Sequence, residues 1–167
     1  TSTGVGSDGD ISFGSSIDSA SAVAKALTVN TSGATSFMAA VGNTHPLSSL
    51  TTDAGGTVAV NGLIVTTTGE QSYGEALSLG GATVLTASKV LFGDTVTGAN
   101  SLSVLGDVAL NGGSITTAKS QSYSGVVSLG VDNTLTSTGL GSDGDISFGS
   151  SIDSATATAK SLTVNTS

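Results

Sequence analysis

The 167-residue chain contains no cysteine, no tryptophan and no arginine, and it has a single proline, a single methionine and a single histidine. Each absence removes a class of chemistry. Without cysteine there is no disulfide, no thiolate nucleophile and no cysteine-ligated zinc; the absence is compatible with an oxidising compartment without requiring one. One imidazole, His45, beside the one proline, Pro46, supplies neither a multi-histidine metal site nor a readable nucleophile–base pair, and it reads as an exposed loop residue. Four lysines against twelve acidic residues give a net charge of −8. No basic patch forms from that inventory, so nucleic acid and anionic membrane surfaces are poor partners. No apolar run approaches the roughly 18–20 residues of a membrane-spanning helix. The opening TSTGVGSDGD has neither a charged leader segment nor an apolar one, so no signal peptide is expected in this stretch. Helix formers are scarce too: the only glutamates are Glu70 and Glu75, and the only lysines Lys25, Lys89, Lys119 and Lys160.

What is present is Gly, Ser, Thr, Ala and Val in a regular order. Hydrophobic residues make up 37% of the chain, which a solvated Gly/Ser linker does not need. They fall in i, i+2 pairs, the period of a strand with one buried face: Ile11/Phe13, Leu27/Val29, Val58/Val60, Leu63/Val65, Leu77/Leu79, Val90/Phe92, Leu102/Val104, Val108/Leu110, Val127/Leu129, Ile146/Phe148 and Leu162/Val164. Gly, Asn, Asp and Ser punctuate the intervals as turn residues.

The chain also repeats itself. Residues 1–32 reappear as 136–167, offset by 135, with 28 of 32 positions identical; the changes are Val5 to Leu140, Ser21 to Thr156, Val23 to Thr158 and Ala26 to Ser161. A weaker copy lies inside the period. Residues 61–86 match residues 111–136 at an offset of 50 in 12 of 26 positions, including Gln71-Ser72-Tyr73 against Gln121-Ser122-Tyr123. The period thus divides into a 50-residue unit, about 61–110, and an 85-residue unit, 111–167 continuing as 1–60, which carries additional loop sequence. A β-sandwich would lose part of its sheet to such a length difference, whereas a solenoid adds or drops a turn or a loop freely. The expectation is one continuous all-β solenoid over 1–167, a parallel β-helix with about three short strands per turn. Turns of roughly 20–27 residues put five or six in each period, and right-handed coiling is the default for parallel crossovers.

The strings VTTTGEQSYGEALSLGGATVLT, VLFGDTVTGANSLSV, DISFGSSIDSATATAKSLTVNTS and PLSSLTTDAGGTVAVNG resemble the repeats of very large secreted bacterial proteins of the filamentous-haemagglutinin type, and the resemblance covers essentially the whole chain. It implies a secreted, cell-surface, right-handed β-helical fibre serving adhesion, aggregation, biofilm or sheath construction. It implies a shaft more than a ligand-binding head, and carries over no catalytic residue.

Two sets of residues are candidate sites. GSDGD occurs twice, and Asp8/Asp10 and Asp143/Asp145 place two carboxylates in a tight Gly-flanked loop, where Ca²⁺ would find oxygen ligands. The competing reading is a polar turn entering the following strand, and the tandem nonapeptide of calcium-binding β-rolls is absent. Tyr73 and Tyr123, the only tyrosines, are candidate contacts for a surface glycan or a neighbouring fibre, or else pack at a corner with the hydroxyl reaching water. The expected partner is the chain itself, associating head to tail or laterally. The functional expectation is a structural or adhesive repeat without enzymatic activity. The alternatives are a carbohydrate-active β-helix enzyme, which would need clustered acids with Arg or Lys, and a Ca²⁺- or glycan-binding module.

Overall fold

The computed structural model describes residues 1, 9–21 and 23–167. It is a parallel β-solenoid of short strands wound around three faces, as the apolar pairs lead one to expect. Strands are labelled in chain order. Face one stacks eight: β1 (Ile11–Phe13), β3 (Ala34–Phe37), β5 (Thr57–Val60), β8 (Ala76–Leu79), β10 (Val96–Gly98), β12 (Ser114–Thr117), β15 (Asn133–Ser137) and β18 (Leu162–Asn165). Face two carries β6 (Ile64–Thr66), the first halves of β9 (Thr83–Phe92) and β11 (Leu102–Leu110), then β13 (Gln121–Tyr123) and β16 (Ile146–Phe148). In the first two turns that face is held by the single-residue bridges Ile17 to Val41 and Val41 to Val65. Face three carries β2 (Ala26–Val29), β4 (Ser49–Thr52), β7 (Glu70–Tyr73), the second halves of β9 and β11, β14 (Val127–Leu129) and β17 (Ile152–Ser154). Because β9 and β11 bend through the corner between faces two and three, those faces join into one ten-stranded sheet.

Alternation decides what lies inside. On face one Val58, Leu77, Val96, Ile115 and Leu135 are in register from turn to turn and are buried, while Ser78, Thr97 and Thr116 form the outward ladder between them. Phe37, Val60 and Leu79 complete the inner row. Stacked rings tie consecutive turns together: Phe13 on Phe37 with centroids 5.2 Å apart, Tyr73 on Phe92 at 6.1 Å, and Tyr123 on Phe148 at 5.5 Å. Offset stacks of this kind contribute roughly 0.5–1.5 kcal/mol beyond the area they bury.

Turn length varies more widely than the expected range. Val58, Leu77, Val96 and Ile115 follow one another at an even, short spacing, whereas the step from Leu135 to its partner Val164 is half as long again. The extra length sits between strands, in the 3-10 turn Gly141–Gly144 that carries GSDG and in residues 155–161. The 85-residue unit is therefore longer both by a further turn and by its corners, and the ladders are undisturbed. At the shortest corners glycine is obligatory. Gly106, where β11 bends, has φ +140°, and a Cβ there would lie 2.0 Å from the Ala87 carbonyl oxygen.

Candidate functional site

The longest polar constellation is inside the prism. Gln71 and Tyr73 share a side of β7, so burying the tyrosine ring buries the amide as well. The Gln71 amide nitrogen donates to the carbonyls of Val65 (3.0 Å) and Thr86 (2.9 Å), and its carbonyl accepts the Tyr73 hydroxyl at 3.1 Å. Gln121 and Tyr123 repeat the arrangement. The Gln121 amide nitrogen donates to the carbonyls of Thr136 (2.9 Å) and Ile115 (3.5 Å) and to the Thr117 hydroxyl (3.1 Å), and its own carbonyl accepts the Tyr123 hydroxyl at 2.9 Å. Each amide is thereby satisfied inside the stack by strand carbonyls, among them that of Thr86, which also accepts the Thr67 amide at 2.9 Å.

That geometry corrects the reading of the tyrosines as external contacts. Tyr73 and Tyr123 are 0% and 1% exposed, with hydroxyls turned into the interior rather than to water. Neither ring is offered to a glycan or a neighbouring fibre, and burial pushes both phenols above the ordinary tyrosine value.

The GSDGD turns are organised differently. Asp8 lies outside the described residues. Asp10 is exposed and accepts the Ala34 amide at 2.7 Å, so one of its oxygens serves to start β3. Asp143 and Asp145 are exposed, the first within the 3-10 turn, the second closing it through its amide on the Ser142 carbonyl. Among the described residues no three His, Cys, Asp or Glu side chains gather as a cation would require. Titrating the chain with Ca²⁺ in a calorimeter is expected to give no saturable heat and no rise in melting temperature; a saturable heat abolished by Asp143→Asn and Asp145→Asn together would place a cation there.

His45 is exposed, as expected of a loop residue. Its amide and that of Thr44 donate to the Asp18 carboxylate at 3.0 and 2.8 Å, which holds that carboxyl below the ordinary aspartate value. The Ser19 hydroxyl donates to the Pro46 carbonyl at 3.0 Å, tying the same two loops together.

One ionisable group was not among the sequence candidates. Glu75, in the corner between β7 and β8, is 2% exposed, and neither carboxylate oxygen has a hydrogen-bond partner. Burial, then the neighbouring Asp53 carboxylate, raise its pKa from 4.5 to about 7 against the opposing influence of the Thr52 hydroxyl. Its parity with Leu77 and Leu79 was the available signal, since 75, 77 and 79 continue one inward row. On the outside, Ser78, Thr97, Thr116 and Thr138 edge a shallow open trough floored by Gly98 and Ala118. No carboxylate, imidazole or aromatic ring lines it. Taken together, these residues belong to a parallel β-solenoid whose buried Gln–Tyr pairs bond strand carbonyls inside the stack.

Comparison with known proteins gives no match: no family model, no curated protein and no solved structure is similar to the chain.

Proposed function

We propose that this chain is a structural and adhesive repeat of a secreted bacterial surface fibre, in which the solenoid is the shaft. The observation that carries this reading is the near-identity of residues 1–32 and 136–167 within one stack whose described residues run without a break in the ladder from β1 to β18. A tandem sequence that stacks on itself makes length, and length is what a fibre needs. Support comes from the outer surface, which is Ser- and Thr-rich, and from acids that serve turns: Asp10 for β3, Asp18 for the 44–45 loop, and Asp132, whose carboxylate accepts the Ser161 amide at 2.8 Å. Parallel strands of such a stack pair equally well with a continuing repeat or with another copy.

Electron microscopy of the chain at increasing concentration tests the proposal. Rods of constant width that lengthen by head-to-tail addition are expected. Isolated globular particles at every concentration, or release of reducing ends from acidic or neutral polysaccharides incubated with the chain, would overturn it.

A further inference from the structure

The two copies of the repeat do not face the same way. Ile11-Ser12-Phe13 forms β1 on face one, while the identical Ile146-Ser147-Phe148 forms β16 on face two. The same shift holds further along the copied segment. Ile17 bridges on face two and Ile152 is in β17 on face three; Leu27 is in β2 on face three and Leu162 is in β18 on face one. β16 follows the seventh strand of face one, so between Ile11 and Ile146 the chain completes six turns and goes on by one face. The shorter repeat also changes face, for Gln71-Ser72-Tyr73 lies on face three and Gln121-Ser122-Tyr123 on face two.

Local structure survives the change of face. The Lys25 amide donates to the Ser19 hydroxyl at 3.0 Å, and at the equivalent place one repeat later the Lys160 amide donates to the Ser154 hydroxyl at 2.8 Å. The Tyr–Gln hydrogen bond measures 3.1 Å on face three and 2.9 Å on face two. The three faces are thus interchangeable hosts for one sequence.

We infer that a surface group occurring once per repeat is carried around the axis by one face, about a third of a revolution, for every roughly 30 Å of rise, taking strands about 4.8 Å apart. This rests on the fibre reading above and specifies the kind of partner. A repeat of a whole number of turns would line equivalent groups along one side and suit an extended lattice, such as a crystalline surface. A repeat of six turns and one face cannot do so. It presents discrete sites to separate partners arriving from different sides, and it needs three repeats to return to the starting face.

Engineered disulfides test the geometry in a chain that has no cysteine of its own. Ser122 and Ser147 are partners on face two, and Ser12 and Ser36 on face one. Neighbouring strands about 4.8 Å apart lie within the Cα separation that a disulfide spans. S122C/S147C and S12C/S36C are expected to oxidise to intramolecular disulfides. T116C/S147C, in which Thr116 belongs to face one of the same turn as Ser122, is expected to stay reduced. Closure of T116C/S147C, or failure of S122C/S147C while S12C/S36C closes, would overturn the assignment. Presentation is read separately with a Fab raised against ISFGSSIDSA, the stretch shared by residues 11–20 and 146–155. Two Fabs per chain, splayed by about a third of a turn in end-on views, are expected; two lying parallel on one side, or a single Fab per chain, would count against it. Neither measurement depends on fibre assembly, so the fibre reading and this one fail independently.

Discussion

Tyr123→Ala is expected to lower the free energy of unfolding by about 3–5 kcal/mol, the range found for removing a fully buried ring from a core. The ring is 1% exposed and stacked at 5.5 Å on Phe148 of the next turn, so its loss leaves a cavity between two turns. The cost is not confined to apolar contact. Gln121 would keep its donors engaged on Thr136, Ile115 and Thr117 but lose the hydroxyl now bonded to its carbonyl, leaving a buried acceptor unpaired. Tyr123→Phe isolates that part and is expected to cost about 1–2 kcal/mol. Tyr73→Ala should match Tyr123→Ala within about 1 kcal/mol although the two rings are on different faces, because each is held by the same glutamine pairing and stacks on a phenylalanine one turn on. Urea unfolding followed by circular dichroism gives all of these differences. If Tyr123→Ala costs less than about 1 kcal/mol, the interior assigned to the ring is wrong.

The equivalence of those two sites bears on how much of the fold the sequence exposes. The apolar pairs marked the inner rows of most faces directly: Val58/Val60 and Leu77/Leu79 on face one, Leu102/Val104 on face two, and Val108/Leu110 and Val127/Leu129 on face three are all buried. Leu63/Val65 and Leu162/Val164 depart from this, for Val164 in β18 is 44% exposed. Leu63 takes φ +66° at a corner and is 42% exposed, so only Val65 belongs to the inner row. The glutamines were harder to read, because hydropathy marks a polar amide as outward while parity with Tyr73 and Tyr123 puts it inside. The backbone decides in favour of parity, since an inward amide at a corner finds carbonyls to bond. The face on which each copy falls was beyond reach. It depends on how many strands one repeat makes, and β9 and β11 each supply two faces from one uninterrupted strand. Of the candidate sites, Asp10, Asp143 and Asp145 lie on exposed chain between strands, whereas the tyrosines were legible as a repeated motif but not as a buried one.

Glu75 gives the second large effect. Gly125 occupies the corresponding position in the other copy of the shorter repeat, so the fold does not require a side chain there. In this copy the carboxyl is shut in with no hydrogen-bond partner and with the Asp53 carboxylate nearby, and both circumstances favour the neutral form. With the folded pKa raised to about 7 from 4.5, Glu75 contributes its full stability below pH 4.5 and loses it as the pH rises through about 7. The shift corresponds to an upper bound of about 3 kcal/mol, and a loss of about 1–3 kcal/mol is expected between pH 4.5 and 8. Glu75→Gln retains the shape and removes the charge, so its stability should be nearly flat over that interval and exceed that of the parent at pH 8. The window also separates Glu75 from Asp18 and Asp132, whose carboxyls are held below their ordinary values by backbone amides. Those two lose their contribution only as the pH falls below the window, and equally in parent and variant. Urea midpoints at pH 4.5, 6 and 8 for both proteins decide the matter: curves that meet at low pH, separate progressively from about pH 4.5 and run parallel above about pH 7 are expected, and parallel curves across the whole range would remove Glu75 as the titrating group.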